Sequence, residues 1–177
     1  MGYDVAVFGE LALPANASAA WKKLDATPSK RGDWPDGFGV PVTARGSVGT
    51  LVTQLAKPPQ QAWGWQFSAT ASRVAIRGVM PDDCWLDNAR LIAQLWLRGG
   101  EVGATGTLSF RGFETADTGW IVEAGKRARI KLMTKADKAI ADASPDMAKL
   151  HDAMTETLAA LPYNPFTSPK KKPKSRA

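Results

Sequence analysis

The sequence predicts a single α+β domain in which a mainly antiparallel sheet of five or six strands packs with three to five helices. Some short segments alternate apolar and polar residues, as half-buried strands do, and others repeat apolar residues every three to four positions, as amphipathic helices do. Because strands and helices do not alternate regularly, a doubly wound parallel sheet is not expected. We assign residues 1–162 to this domain and residues 163–177 to a C-terminal tail rich in Pro and Lys.

The first third of the chain contains one predicted strand and two predicted helices. The strand covers residues 3–9, and Asn16 is expected to cap a short helix over 17–24. Residues 27–41 hold three Pro and three Gly, which indicates a long irregular connection. Ser47 is then a suitable N-cap for a second helix that ends before Lys57, with apolar residues at Val48, Leu51, Val52 and Leu55.

The middle of the chain predicts a hairpin. Its first strand alternates apolar residues with polar ones and Gly, the apolar positions being Trp63, Trp65, Phe67 and Ala69. The second strand covers residues 72–79 and places Arg73 and Arg77 on the face opposite to Val74 and Ile76. The short link between the two strands favours direct antiparallel pairing.

A long helix follows, capped by Asp82 or Asp83 and expected to run from Cys84 to Arg98 and to end at Gly99 and Gly100. Further strands are predicted over 104–111, 120–123 and 126–133. From residue 134 the pattern is helical, broken at Pro145, and Ser144 is expected to cap the final helix.

Most of the net positive charge comes from the C-terminal tail. The net charge is +6, and the tail supplies five cations, Lys170, Lys171, Lys172, Lys174 and Arg176. Without them, 18 basic residues face 17 acidic ones, so the remaining body is close to neutral. Such a tail suits phosphates of nucleic acid, an anionic membrane surface or an acidic protein, and the alternative is a solvated tail that only improves solubility.

Several classes of protein are excluded or disfavoured by composition. One Cys and one His exclude a disulfide scaffold and zinc sites built from several of these residues. No segment has the length and apolarity of a membrane span, and the N-terminus lacks a signal-peptide pattern. The sequence therefore predicts a cytoplasmic protein with no metal and no cofactor.

Catalytic motifs are incomplete. A cysteine hydrolase would have to use Cys84, at the start of a predicted helix, together with His151. The run CWLDNARLIAQLWLRGG, which begins at Cys84, resembles the nucleophile helix of transglutaminase-like and papain-like enzymes. Asp82, Glu123 and Lys126 approximate the spacing of metal-dependent nucleases, with one residue too many between the last two. We therefore expect no catalytic residues and keep a Cys84-dependent hydrolase as a remote alternative.

Binding is the alternative to catalysis. Candidate binding residues on the predicted sheet are its aromatic and Arg positions, Trp63, Trp65, Arg73, Arg77 and Arg111. The tail cations named above are further candidates. The passage ARLIAQLWLRGGEVGATGTLSFRGF resembles the small single-domain immunity proteins of bacterial toxin systems. That resemblance implies a non-enzymatic protein whose partner is a cognate toxin or another effector. The alternative partner is nucleic acid, contacted through the basic tail.

Overall fold

The structure, a computed structural model, describes residues 5–27, 34, 35, 37–57, 65–80, 85–112 and 119–160, and it describes only the backbone of 85 and 153–160. The six strands of the described part are β1 (Val5–Ala12), β2 (Trp65–Ala69), β3 (Arg73–Met80), β4 (Thr105–Gly112), β5 (Gly119–Ala124) and β6 (Arg129–Leu132). The five helices are α1 (Ala17–Lys23), α2 (Val48–Leu55), α3 (Trp85–Glu101), α4 (Lys135–Asp142) and α5 (Pro145–Ala160). The α+β prediction is confirmed.

The strands form one antiparallel sheet in the order β2-β3-β1-β4-β5-β6. The predicted β2–β3 hairpin is present, and β1 is inserted between β3 and β4. Because side chains alternate across a strand, every strand sends one set of residues to each face of this sheet. Along β1, Val5, Val7 and Leu11 point to one face, and Ala6 and Phe8 point to the other.

The main core lies between the first face and helices α1, α2 and α3. It contains the largest fully buried side chains, including Trp21 and Trp96. Trp21 Nε1 donates a hydrogen bond of 3.2 Å to the carbonyl of Leu95 and so fixes α1 to α3. Full burial of side chains of this size contributes several kcal/mol in total, which makes this layer the principal source of stability.

Helices α4 and α5 lie on the other face and cover only part of it. Met147 and Leu150 of α5 pack with Ala6 and Val79 in a second apolar cluster, against which Phe8 is half buried. The bidentate pair between Arg111 of β4 and Asp142 of α4 joins this layer to the sheet. No helix in the described part of the chain combines the length and apolarity that a membrane crossing requires.

Two predicted helix caps are confirmed. Ser47 Oγ accepts from the backbone N–H of Thr50, and Ser144 Oγ accepts from that of Met147. Asn16 occupies the predicted N-cap position of α1, but it has φ 65° and makes no side-chain capping bond to the helix. The predicted caps Asp82 and Asp83 lie outside the described residues.

Several element ends differ from the sequence prediction: β6, for example, begins at Arg129 and not at residue 126, and at two other ends glycine permits close packing. Helix α3 continues through Gly99 and Gly100, where a Cβ would lie 2.7 Å from Leu11 Cδ2 and 3.1 Å from the carbonyl oxygen of Gly125, respectively. The residue with helix-ending geometry is Gly103, at φ +81°. Strand β1 likewise runs past Gly9, where a Cβ would lie 2.4 Å from the carbonyl oxygen of Thr107.

Candidate functional site

Beyond the ends of α4 and α5, no described residue covers the second face of the sheet, and we call this region the open sheet face. It forms a shallow cavity of about 930 Å3. Asp146 of α5 lies at its border. The open sheet face is made of alternate residues from four strands, namely Phe8, Glu10, Ala12, Gln66, Ser68, Arg73, Ala75, Arg77, Thr105 and Thr107.

The strand register places small side chains on both sides of Glu10 in the centre of the open sheet face. Glu10 pairs with Ala75 on one side and with Thr107 on the other, and Ala12 pairs with Thr105. Methyl and hydroxyl groups therefore form the floor around Glu10, and the longer side chains of Arg73 and Arg77 lie on β3, one on each side of Ala75 along the strand. Such a floor lets a partner approach the sheet closely and still find hydroxyl groups that donate and accept hydrogen bonds.

The charges on the open sheet face are paired. Arg73 forms an ion pair with Glu10, and Arg77 contacts Asp146 of α5 at 2.7 Å. Both Arg side chains are exposed, so these pairs contribute little to stability. They do place two positive and two negative groups on one surface, whose local charge is balanced.

A second cluster of charges extends the same face toward the far edge of the sheet. Glu123 of β5 contacts Arg129 at 2.7 Å and Lys131 at 2.9 Å, both on β6. Hydrogen bonds from Lys131 and then Arg129 lower the pKa of the Glu123 carboxyl below its ordinary value. Glu123, which belongs to the nuclease-like pattern in the sequence, is therefore held in its ionised form by two cationic neighbours.

Arg111 is separated from the other predicted binding residues. It is buried at 7% exposure, and its guanidinium donates to both carboxylate oxygens of Asp142, at 2.8 and 3.0 Å. These hydrogen bonds hold the pKa of the Asp142 carboxyl below its ordinary range. In this position Arg111 joins the sheet to α4.

The sheet also separates Trp65 from Arg73 and Arg77. Trp65 lies on the face that α1, α2 and α3 cover, where it packs against the main core while partly exposed at the edge strand. Arg73 and Arg77 lie on the open sheet face. The remaining candidates, Trp63 and the tail cations Lys170, Lys171, Lys172, Lys174 and Arg176, lie outside the described residues.

The remote hydrolase alternative rests on one residue that the structure describes and one that it does not. Cys84 lies outside the described residues, and His151 is exposed on α5. Within the described ranges, no group of three or more His, Cys, Asp or Glu side chains has the arrangement to hold a metal ion.

Comparisons of the chain with protein-family models, curated protein sequences and solved structures return no match. The function must therefore be inferred from the chemistry of the chain's own residues.

Sequence reasoning missed the acidic and hydroxyl half of the open sheet face. Glu10, Thr105 and Thr107 carry no motif, and Asp146 looked like an ordinary residue in the first turn of a helix. The available signal was the alternation of side chains along a strand. It places Glu10 on the same face of its strand as Phe8, and Thr107 on the same face of its strand as Thr105. The order of the strands in the sheet, which brings these two pairs side by side, cannot be predicted from any local sequence pattern.

Proposed function

We propose that this chain is a non-catalytic protein-binding module that acts in the cytoplasm and binds its partner on the open sheet face. The class of partner that we propose is the one implied by the immunity-protein resemblance, a cognate toxin neutralised by stoichiometric binding. The observation that carries the proposal is the broad, uncovered and polar sheet face with paired charges of both signs.

The pairing of charges supports a protein partner for this surface. A protein surface can offer both an acid and a base, so it can join the Arg73–Glu10 and Arg77–Asp146 pairs without leaving a charge unmatched. A nucleic-acid backbone offers only negative charge and would meet Glu10 and Asp146 as like charges. Arg73 and Arg77 are thus better placed for recognition of a protein than for contact with phosphate.

The electrostatics also support binding over catalysis. General acids and bases usually have pKa values moved toward the working pH by burial or by like charges. The carboxyls Glu123 and Asp142 have pKa values moved in the opposite direction by hydrogen bonds from Lys131 and Arg111, respectively. These carboxylates therefore act as fixed charges that hold Arg and Lys side chains in position.

Bulky substitutions on the floor of the open sheet face provide the test. The full chain, tagged, is used to capture proteins from a lysate of its own organism, and the retained protein is expressed separately for titration calorimetry. We expect 1:1 binding, and relief of growth inhibition when the partner and this chain are produced together. Ser68→Arg with Thr107→Arg should raise the dissociation constant at least tenfold, because both positions are exposed on this face.

The matched control is Thr53→Arg with Gln54→Arg, which adds the same charge at exposed positions of α2 on the opposite side of the sheet. The control should bind within about twofold of the wild type. The proposal is wrong if no protein is retained, if both double variants lose affinity equally, or if neither does.

A further inference from the structure

We infer that the chain carries a second surface, which binds the phosphate backbone of nucleic acid without sequence preference. This surface, which we call the basic end, consists of Lys22, Lys23, Arg45, Lys126 and Arg127. All five side chains are exposed, and none forms an ion pair with another described residue. It is distinct from the open sheet face.

Backbone contacts bring Lys22, Lys23 and Arg45 together. The carbonyl of Leu24 accepts from the N–H of Val48 at 2.8 Å, and the carbonyl of Gly46 accepts from the N–H of Ala26 at 3.0 Å. The end of α1 therefore runs beside the segment that leads into α2. Lys22 and Lys23 are the last residues of α1, and Arg45 directly precedes Gly46.

The turn between β5 and β6 brings Lys126 and Arg127 to the same end of the molecule. Arg98, in the last turns of α3, donates from Nε to the carbonyl of Asp25 at 2.8 Å, beside the first group of cations. Two residues further along α3, a Cβ on Gly100 would lie 3.1 Å from the carbonyl oxygen of Gly125 and from Ala128 Cβ. The two groups of cations thus flank the C-terminal end of α3.

Of the carboxylates described at this end, Glu101 and Glu123 are paired with other cations, which leaves Asp25 as a single negative charge beside the five cations. Both oxygens of Glu101 accept from Arg98 at 2.6 Å, and Asp25 Oδ1 accepts from the N–H of Thr27 at 2.8 Å. Glu123 is held by two cations of β6. A nearly neutral domain therefore concentrates unmatched positive charge at one end.

The residue types favour a nucleic-acid backbone over a protein partner. Three of the five cations are Lys, which is depleted at protein interfaces, where aromatic residues and Arg are enriched. The basic end, as defined, includes no aromatic side chain on which an unpaired base could stack. Flexible, exposed ammonium and guanidinium groups suit contacts with phosphate and the release of condensed counterions.

The test compares two variants of the full chain that lose equal charge. One replaces the basic end: Lys22→Gln, Lys23→Gln, Arg45→Gln, Lys126→Gln and Arg127→Gln. The other neutralises the tail at Lys170, Lys171, Lys172, Lys174 and Arg176, also with Gln. Binding of a fluorescein-labelled 20-base-pair DNA duplex of arbitrary sequence is followed by anisotropy between 50 and 200 mM NaCl.

Five phosphate contacts predict a slope of log affinity against log salt of about −4.5, which is a loss of roughly 500-fold over this range. The basic-end variant should bind the duplex at least tenfold more weakly at 50 mM NaCl, and its affinity should depend much less steeply on salt. The tail variant should keep most of the wild-type affinity and most of its salt dependence. Circular dichroism melts check that the variants are folded, and Lys22→Gln with Lys23→Gln alone should give an intermediate loss.

Equal losses in the two variants, loss in the tail variant alone, or no binding by the wild type would overturn the inference. It would also fall if polyglutamate or vesicles with 30% phosphatidylglycerol bind as tightly as the duplex. The basic-end variant should still bind the protein partner of the open sheet face, so failure of this inference is distinguishable from failure of the proposed function.

Discussion

At the scale of single residues, Gln94 shows how a polar side chain can hold the core in place. It lies on α3 with 0% exposure, between the irregular segment 37–46 and the end of α1. Its Oε1 accepts from the N–H of Val42 at 2.8 Å, and its Nε2 donates to the carbonyl of Ala26 at 3.0 Å. One side chain thus satisfies two backbone groups that belong to different segments.

Gln94→Leu is expected to destabilise the protein by about 2–3 kcal/mol, because both backbone groups lose their partner while the apolar volume changes little. Urea unfolding followed by circular dichroism measures this difference. Gln54→Leu, at an exposed position of α2, is the control and should change stability by less than about 0.5 kcal/mol. Equal effects of the two substitutions would contradict the role given to Gln94.

Residue-level chemistry was also the part that sequence patterns predicted least well. Arg73, Arg77 and Arg111 were grouped as one set of binding residues because they share a charge. The structure buries Arg111 against Asp142 and leaves the other two exposed. A guanidinium's role depends on which carboxylate the tertiary fold brings to it, and neither Asp142 nor Asp146 is near its Arg in the sequence.

At the scale of elements, periodicity predicted strands and helices well because burial on one face imposes it directly. The exposure pattern of β3 matches the prediction, with Val74 and Ile76 buried and Arg73 and Arg77 exposed. Element ends were less predictable where glycine was involved. Gly99 was interpreted as the end of a helix, yet it lies inside α3, where a side chain would come too close to Leu11; β1 likewise continues past Gly9, where a side chain would come too close to Thr107.

Helix α4 and strand β4 are joined by an ion pair that should respond to acid. The pKa of Asp142 is lowered in the folded protein, mainly by hydrogen bonds from Arg111. A carboxyl with a lowered folded pKa stabilises the protein fully above its unfolded pKa of about 4, and this contribution is lost as the pH falls below that value. Acid should therefore weaken the attachment of α4 to the sheet.

Asp142→Asn tests this attachment. At pH 7 the variant should be less stable than the wild type by about 1 kcal/mol, a modest value because the Asp142 side chain is 49% exposed to water. Chemical unfolding at pH 7, 4 and 2.5 should show this gap closing as Asp142 becomes protonated in the wild type. A gap that stays constant with pH would disprove the contribution of the charged form.

At the scale of the whole molecule, the arrangement of layers determines which surface is free for binding. The main core occupies one face of the sheet, and α4 and α5 cover only part of the other. The sequence predicted the class of fold and the number of strands, but the insertion of β1 between β3 and β4 depends on long-range pairing. That insertion places Glu10 beside Arg73 and creates the open sheet face.

Because residues 163–177 are rich in Pro and Lys, as extended solvated segments are, the predicted tail should contribute little to the stability of the domain. Deletion of residues 163–177 is therefore expected to leave the melting temperature within about 2 °C of the full chain, since that shift corresponds to no more than about 1 kcal/mol for a domain of this size. The deletion removes the five tail cations and should lower the isoelectric point from about 9.6. Differential scanning calorimetry of both proteins in one buffer measures the melting temperatures. A fall of more than about 5 °C would mean that the tail packs on the domain and that the boundary near residue 162 is wrong.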